Sequence, residues 1–285
     1  TNDQKIAIEQ INNDLKSNKK MFRLLQGDVG SGKTIVALIA SANVISSGFQ
    51  VCLMAPTEIL AKQHYNLANK LYDKNINIKI LTSKTEYSER KEILKNLNNN
   101  NINFLIGTHS LFQEKIKYKN LGLIIIDEQH KFGVKQRKKL SDKGGKNCDV
   151  LVMSATPIPR TMIMTVFGDM DTSIIKNKPK NRKEIKTYSK LETKTEEVIK
   201  FVKKQISQKN QVFWVCPLIE DSKKVDHQSS VKRYENLKKI FKNRVGLLHG
   251  LLDKEEKNNI LLNFLNRKID ILVSTTVIEV GIDFP

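Results

Sequence analysis

The stretch Phe22-Arg23-Leu24-Leu25-Gln26-Gly27-Asp28-Val29-Gly30-Ser31-Gly32-Lys33-Thr34 decides the fold. It opens on a short apolar run, Phe22–Leu25, turns through a glycine-rich segment and enters a helical pattern over Lys33–Ser46. Gly27 to Thr34 fill the pattern G-x-x-x-x-G-K-[ST] in full, in the strand–turn–helix context that gives the pattern its meaning. The residue types follow from electrostatics. Glycines permit the tight turn that aims successive backbone N–H groups at phosphate oxygens. The helix beginning near Lys33 adds the positive end of its dipole. Gly27, Asp28, Val29, Gly30, Ser31 and Gly32 are therefore the expected phosphate cradle. Lys33 is expected to reach the β- and γ-phosphates of a nucleoside triphosphate, and the Thr34 hydroxyl to ligate Mg²⁺.

Outward from this loop, short apolar runs alternate with longer amphipathic stretches. The runs are Val51–Ala55, Ile78–Leu81, Phe104–Ile106, Leu123–Ile126 and Val150–Met153, then Val212–Val215, Val245–Leu248 and Ile269–Val273. Runs this short, bounded by Gly, Pro or Asp, suit strands buried on both faces. Helical patterns cover Glu58–Tyr72, Ser88–Leu97 and Thr193–Ser207, and Asp253 followed by Glu256 is a capping-box-like start for another helix. The alternation predicts an α/β chain with parallel sheets. The charged, Pro-broken stretch Lys176–Lys183 is read as a linker, because the alternation restarts after it; a long surface loop within one domain is the alternative. The expected division is a first lobe over 1–177, a linker over 178–185 and a second, incomplete lobe over 186–285.

A second chemical element is Leu123-Ile124-Ile125-Ile126-Asp127-Glu128-Gln129-His130. A buried strand would deliver Asp127 to its carboxyl edge, where ligands bind in open parallel sheets. Asp127 would hold the Mg²⁺ shell, and Glu128 would orient and deprotonate an attacking water as general base. Alone, this is equally a strand end meeting solvent. Paired with the phosphate loop it points to nucleoside-triphosphate hydrolysis, which needs both halves. His130 suits either a polar relay or a structural loop position.

The charge balance points outward from the site. The chain carries 49 Lys and Arg against 30 Asp and Glu, a net charge of +19. Such a surplus favours a polyanionic partner, because neutralised phosphates release counterions. Solvated surface lysine is the plainer alternative in a chain this rich in Lys and Asn. Cys52, Cys148 and Cys216 lie far apart, without metal-type spacing, which fits neither a disulfide framework nor a zinc site and suits a reducing cytoplasm. No apolar run approaches a membrane span, and no signal peptide opens the chain. Lacking an initiator Met and ending at Asp283-Phe284-Pro285, it reads as a piece of a longer protein.

The paired elements, followed by Ser154-Ala155-Thr156, resemble motifs I, II and III of superfamily 2 helicases. Thr1-x-x-Gln4 resembles the family's N-terminal glutamine motif, Ala55-Pro56-Thr57-Glu58 motif Ia, Gly107-Thr108-His109-Ser110 motif Ib, and Ser274 to Asp283 motif V. Within that superfamily, Gln26 to Thr34, Asp127 to Arg137, Met153 to Thr161 and Cys216-Pro217-Leu218-Ile219-Glu220 are similar to the RecG family. The related motor of transcription-repair coupling factors usually has Glu at the place of Gln129 and Thr at the place of Ser154, and is the runner-up.

The resemblance implies two RecA-like lobes and an ATP- and Mg²⁺-dependent DNA motor, monomeric, working on forks and Holliday junctions in recombination and repair. It implies that Gln4 contacts adenine, that Gly281 and Asp283 reach the nucleotide from the second lobe, and that Ser154 and Thr156 couple the nucleotide site to lobe closure. It also implies backbone contacts to DNA from Pro56, Thr57, Thr108, His109, Thr275 and Thr276, although a Thr after a strand is often only a helix cap. The family's wedge domain would precede Thr1 and its motif VI, with the arginine finger, would follow Pro285. The chain alone is then expected to bind ATP and DNA but to hydrolyse ATP weakly.

Overall fold

The computed structural model describes residues 1–113, 116–128, 148–156, 170–177, 185–216, 223–249 and 252–274. The chain divides into two compact units, Thr1–Lys183 and Glu184–Pro285. Most of the expected linker, 178–184, lies outside the described residues.

The first unit is built on β1 (Phe22–Gly27), β2 (Gln50–Met54), β3 (Ile78–Leu81), β4 (Phe104–Gly107), β5 (Leu121–Asp127), β6 (Asp149–Ser154) and β7 (Asp171–Ile175). They form one sheet in the order β3-β4-β2-β5-β6-β1-β7. Every pairing in it is parallel. Helices α1 (Asn2–Lys16), α2 (Lys33–Ser46), α3 (Glu58–Leu71) and α4 (Tyr87–Asn98) accompany the strands. On one face Leu24, Cys52, Met54, Leu105, Ile124, Ile126, Val150 and Val152 pack with Ile93 and Leu97 of α4. Residues two apart on a strand share a face, so these pairs define one side of the sheet.

The second unit has a parallel sheet in the order β8-β10-β9, from β8 (Val212–Val215), β9 (Val245–Leu248) and β10 (Ile271–Ser274). It is accompanied by α5 (Thr195–Ser207), α6 (Lys223–Phe241) and α7 (Lys254–Leu265). Val202, Ile206, Leu237, Phe241, Val245, Ile271 and Val273 form its core. Asp253 caps α7 in a full capping box with Glu256, as the sequence pattern anticipates.

Three elements go beyond the sequence pattern. Helix α1 buries only Ala7 and Ile11 completely, too few to announce an apolar stripe. Strand β7 is short and begins on an exposed Asp171. Helix α6 is crowded with Lys and other polar residues and lacks a clear apolar face in its sequence. Boundaries also move. A 3₁₀ turn, Glu192–Lys194, precedes α5, and Ile269 falls outside β10. Strand β2 begins one residue early, at a buried polar side chain. Gln50 Nε2 donates to the carbonyls of Leu97 and Ile102 at 2.9 and 2.8 Å, and its Oε1 accepts from the N–H groups of Lys119 and Asn120 at 2.8 and 3.0 Å. With its donors and acceptor occupied, Gln50 can be buried without penalty. All three cysteines are buried free thiols.

Candidate active site

In a sheet of parallel strands every strand ends at the same edge. Here that edge receives the phosphate loop after β1, Pro56 and Thr57 after β2, Thr108 after β4, Asp127 and Glu128 at the end of β5, and Ser154 at the end of β6. Register holds them level: Gln26 lies beside Ser154, and both Leu25 and Asp127 lie beside Met153. Asp127 is thus two strands from β1, roughly 10 Å across the sheet.

The loop has the backbone that its glycines allow. Gly30 and Gly32 have φ of 73° and 90°, a region open to glycine and costly for residues with a Cβ. A Cβ on Gly32 would also sit 2.1 Å from Gln4 Nε2. Gly32 caps α2 without a side chain, and the first turn of α2 holds no acid, so its positive end is not neutralised locally. The Lys33 ammonium donates to the carbonyls of Gly27 at 2.6 Å and Asp28 at 3.2 Å. Burial pushes its pKa below the ordinary lysine value, against the opposing pull of Glu128, Asp127 and Asp28. The carboxylates of Asp127, at the end of β5, and Glu128, just after it, thus act electrostatically on the loop lysine. Ser31 Oγ is buried with no hydrogen-bond partner, and Thr34 is half-buried in the first turn of α2.

Gln4 stands in the first turn of α1, and its Nε2 donates to the Ser31 carbonyl at 2.8 Å, tying that helix to the loop. The residue beside it, Asp3, accepts from the backbone N–H groups of Lys176 and Asn177, both at 2.8 Å, just beyond β7. Those N–H groups hold the half-buried Asp3 carboxyl below the usual carboxylate range. Further along α1, Asp14 accepts from Arg23 Nε of β1 at 2.6 Å, and Arg23 Nη1 donates to Ser173 Oγ of β7 at 3.0 Å. Ser173 Oγ in turn donates to Gln10 Oε1 at 2.6 Å. No local sequence signal marks this network, because its members lie up to 163 positions apart.

Asp127 and Glu128 are both buried. Glu128 has φ of 50°, a left-handed backbone uncommon for a residue with a side chain. His64 of α3, absent from the sequence-derived candidates, donates from Nε2 to Asp127 Oδ2 at 2.8 Å. Ser154, fully buried, shares a hydrogen bond with Thr156 Oγ1 at 3.0 Å, and its Oγ accepts from the Thr156 N–H at 3.2 Å. Gln26 Nε2 reaches the Thr156 carbonyl at 3.5 Å, a marginal distance for a hydrogen bond.

The residues expected to meet DNA have local duties too. Thr57 is the N-cap of α3, its Oγ1 accepting from the Leu60 N–H at 3.3 Å. Pro56 is half-buried, and Thr108 is buried before the 3₁₀ turn His109–Phe112. His130, Thr275, Thr276, Gly281 and Asp283 lie outside the described residues.

The donor set suits Mg²⁺. No group of three or more His, Cys, Asp or Glu arranged for a metal occurs among the described residues. Mg²⁺ bound with a nucleotide needs none, since one or two protein oxygens, the phosphates and waters complete its shell. Thr34 and Asp127 supply hard oxygens of that kind.

Comparison with known proteins adds the lineage. The DEAD/DEAH box helicase model matches residues 1–165, and the helicase conserved C-terminal domain model matches 193–285. The ATP-dependent DNA helicase RecG of Thermotoga maritima is 50% identical over all of this chain, which spans 37% of that relative. RecG of Bacillus subtilis is 47% identical, again over the whole chain and 42% of the relative. A solved structure of RecG bound to a three-way DNA junction superposes with a TM-score of 0.84 at 45% identity, over 100% of this chain and 37% of that one. The two parallel sheets match the RecA-like lobes of helicase structures, and the chain belongs to the DEAD/DEAH box helicase family.

Proposed function

We propose that the chain is the motor portion of an ATP-dependent DNA helicase of the RecG type, acting on branched DNA in recombination and repair. The observation that carries this is the shared sheet edge. It gathers a complete phosphate loop, a carboxylate pair and the loops after β2 and β4 on one unit, in a chain 45–50% identical to RecG proteins over its whole length.

In this reading Lys33 leaves the loop carbonyls for the β- and γ-phosphates of ATP, and the loop N–H groups hold the remaining phosphate oxygens. Thr34 and Asp127 hold Mg²⁺, which when bound supplies positive charge at the phosphate oxygens. Glu128 accepts the proton of the attacking water as its oxygen bonds to the γ-phosphorus and the bond to the bridging oxygen breaks, giving ADP and phosphate. The left-handed backbone at Glu128 turns the chain sharply after Asp127, so that two consecutive carboxylates can serve different roles. Gln4 contacts adenine and simultaneously braces the loop through Ser31. Ser154 and Thr156 transmit the nucleotide state. Pro56, Thr57, Thr108 and His109 meet the DNA backbone, with main-chain groups contributing where Thr57 and Thr108 are occupied or buried, and Thr275 and Thr276 add contacts from the second unit. The remaining assignments are a linker over 178–185, a monomeric state and a cytoplasmic location.

The test is DNA-stimulated ATP hydrolysis by the full-length enzyme, with forked DNA, linear duplex and RNA. Forked DNA should stimulate most. Lys33→Ala should lower phosphate release by roughly 10²–10³-fold, as expected for removing a charge that stabilises the transition state, while leaving most DNA binding intact. Equal stimulation by RNA, or an unimpaired Lys33→Ala variant, would refute the proposal.

A further inference from the structure

His64 lies on the face of α3 that also carries Leu60, Ala61 and Ala68, all buried. These apolar residues are buried where the helix packs on β3 and β4. An aliphatic side chain at position 64 would continue the stripe and avoid burying a polar ring. The imidazole is instead 5% exposed, and it donates across the sheet edge to Asp127 Oδ2 at 2.8 Å. Asp127 ends a buried strand and is followed directly by the left-handed Glu128, so its carboxylate sits where the chain changes direction.

We infer that His64 is a positioning residue for Asp127. It fixes one carboxylate oxygen, and with it the rotamer, so that the group is presented to Mg²⁺ in one orientation. Outer hydrogen bonds to ligating carboxylates act in this way, and their loss weakens metal affinity about 10- to 100-fold. Seven residues separate Thr57 from His64, about 10 Å of helix, so one rigid element spans from the loop after β2 to the metal carboxylate. The inference rests on the assignment of Asp127 to Mg²⁺ made above.

The experiment uses the 285-residue chain with Mn²⁺ as the spectroscopic probe and adenylyl imidodiphosphate as the nucleotide. Electron paramagnetic resonance reads bound against free Mn²⁺ for the parent, His64→Leu and His64→Gln. Nucleotide affinity in EDTA and thermal melting are measured on the same proteins. Leu keeps the apolar stripe and removes the donor, whereas Gln keeps an N–H donor at similar reach. Mn²⁺ affinity should fall about 10- to 100-fold in His64→Leu and recover largely in His64→Gln, with metal-free nucleotide affinity unchanged in both. A Leu variant that unfolds, one that binds Mn²⁺ like the parent, or a Gln variant as impaired as Leu would overturn the inference and leave the functional proposal standing. A parent that shows no nucleotide-dependent Mn²⁺ binding would overturn both.

Discussion

In the first unit β2 and β4 are buried at every position, whereas in the second unit β8 alternates half-buried and exposed residues from Val212 to Val215. The contrast follows from place in the sheet. Strands β2 and β4 are interior and covered on both faces, which requires continuous apolar runs. Among the described residues β8 is an edge strand of a three-stranded sheet, with Phe213 and Val215 reaching solvent. Among the described residues the first unit has the larger core, and two unfolding transitions of unequal stability are expected. The only tryptophan, Trp214, lies in β8, so its fluorescence follows the second unit.

The sharpest way to break this comparison is Phe104→Ala, in a fully buried position of β4. It should cost the first unit about 3–5 kcal/mol, moving the main circular-dichroism transition in denaturant while the Trp214 transition stays in place. A common shift of both signals would mean a single cooperative block. Next is Arg23→Ala, which strips the Asp14 carboxylate of its partner and leaves Ser173 only Gln10. Removing one member of a buried pair costs about 3 kcal/mol, and the lower end is expected because Asp14 is 23% exposed. The same two signals separate its effect.

The thiols sharpen the contrast further. Burial pushes Cys148 in the first unit up to about 12, and raises Cys216 in the second. A raised thiol pKa favours the folded state fully below the unfolded value, and that advantage is lost as pH climbs from 9 toward 12. The first unit should therefore weaken over that alkaline range. At neutral pH in moderate denaturant, thiol labelling followed by mass spectrometry should reach Cys216 before Cys52 and Cys148. The smallest effect is expected from Asp253→Ala, which removes the cap of α7 and should cost about 1 kcal/mol, visible in the Trp214 transition only.

What could be read from the sequence was contiguous. Gly27 to Thr34 carry loop, lysine and hydroxyl in one contiguous stretch, and Leu123 to Asp127 carry strand and carboxylate together, so the strands and the loop that hold these candidates were legible. Thr57 could be recognised as a cap or a DNA contact, and the structure gives it the cap. His64 could not be singled out, because its partner lies 63 positions away and nothing beside it in the chain differs from an ordinary amphipathic helix. Helix α1 escaped for a related reason. Much of its hold on the sheet runs through Asp14, Gln10 and Asp3, polar residues whose pattern resembles a solvated surface.

Asp3 and Gln4 are consecutive, yet one grips the backbone leaving β7 and the other grips the phosphate loop. In mechanical terms they are the two pins of a single short crank. Both pins sit in the first turn of the same helix, less than a third of a turn apart. Ser31 on one side and Lys176 and Asn177 on the other are thus fastened to neighbouring residues of one helix.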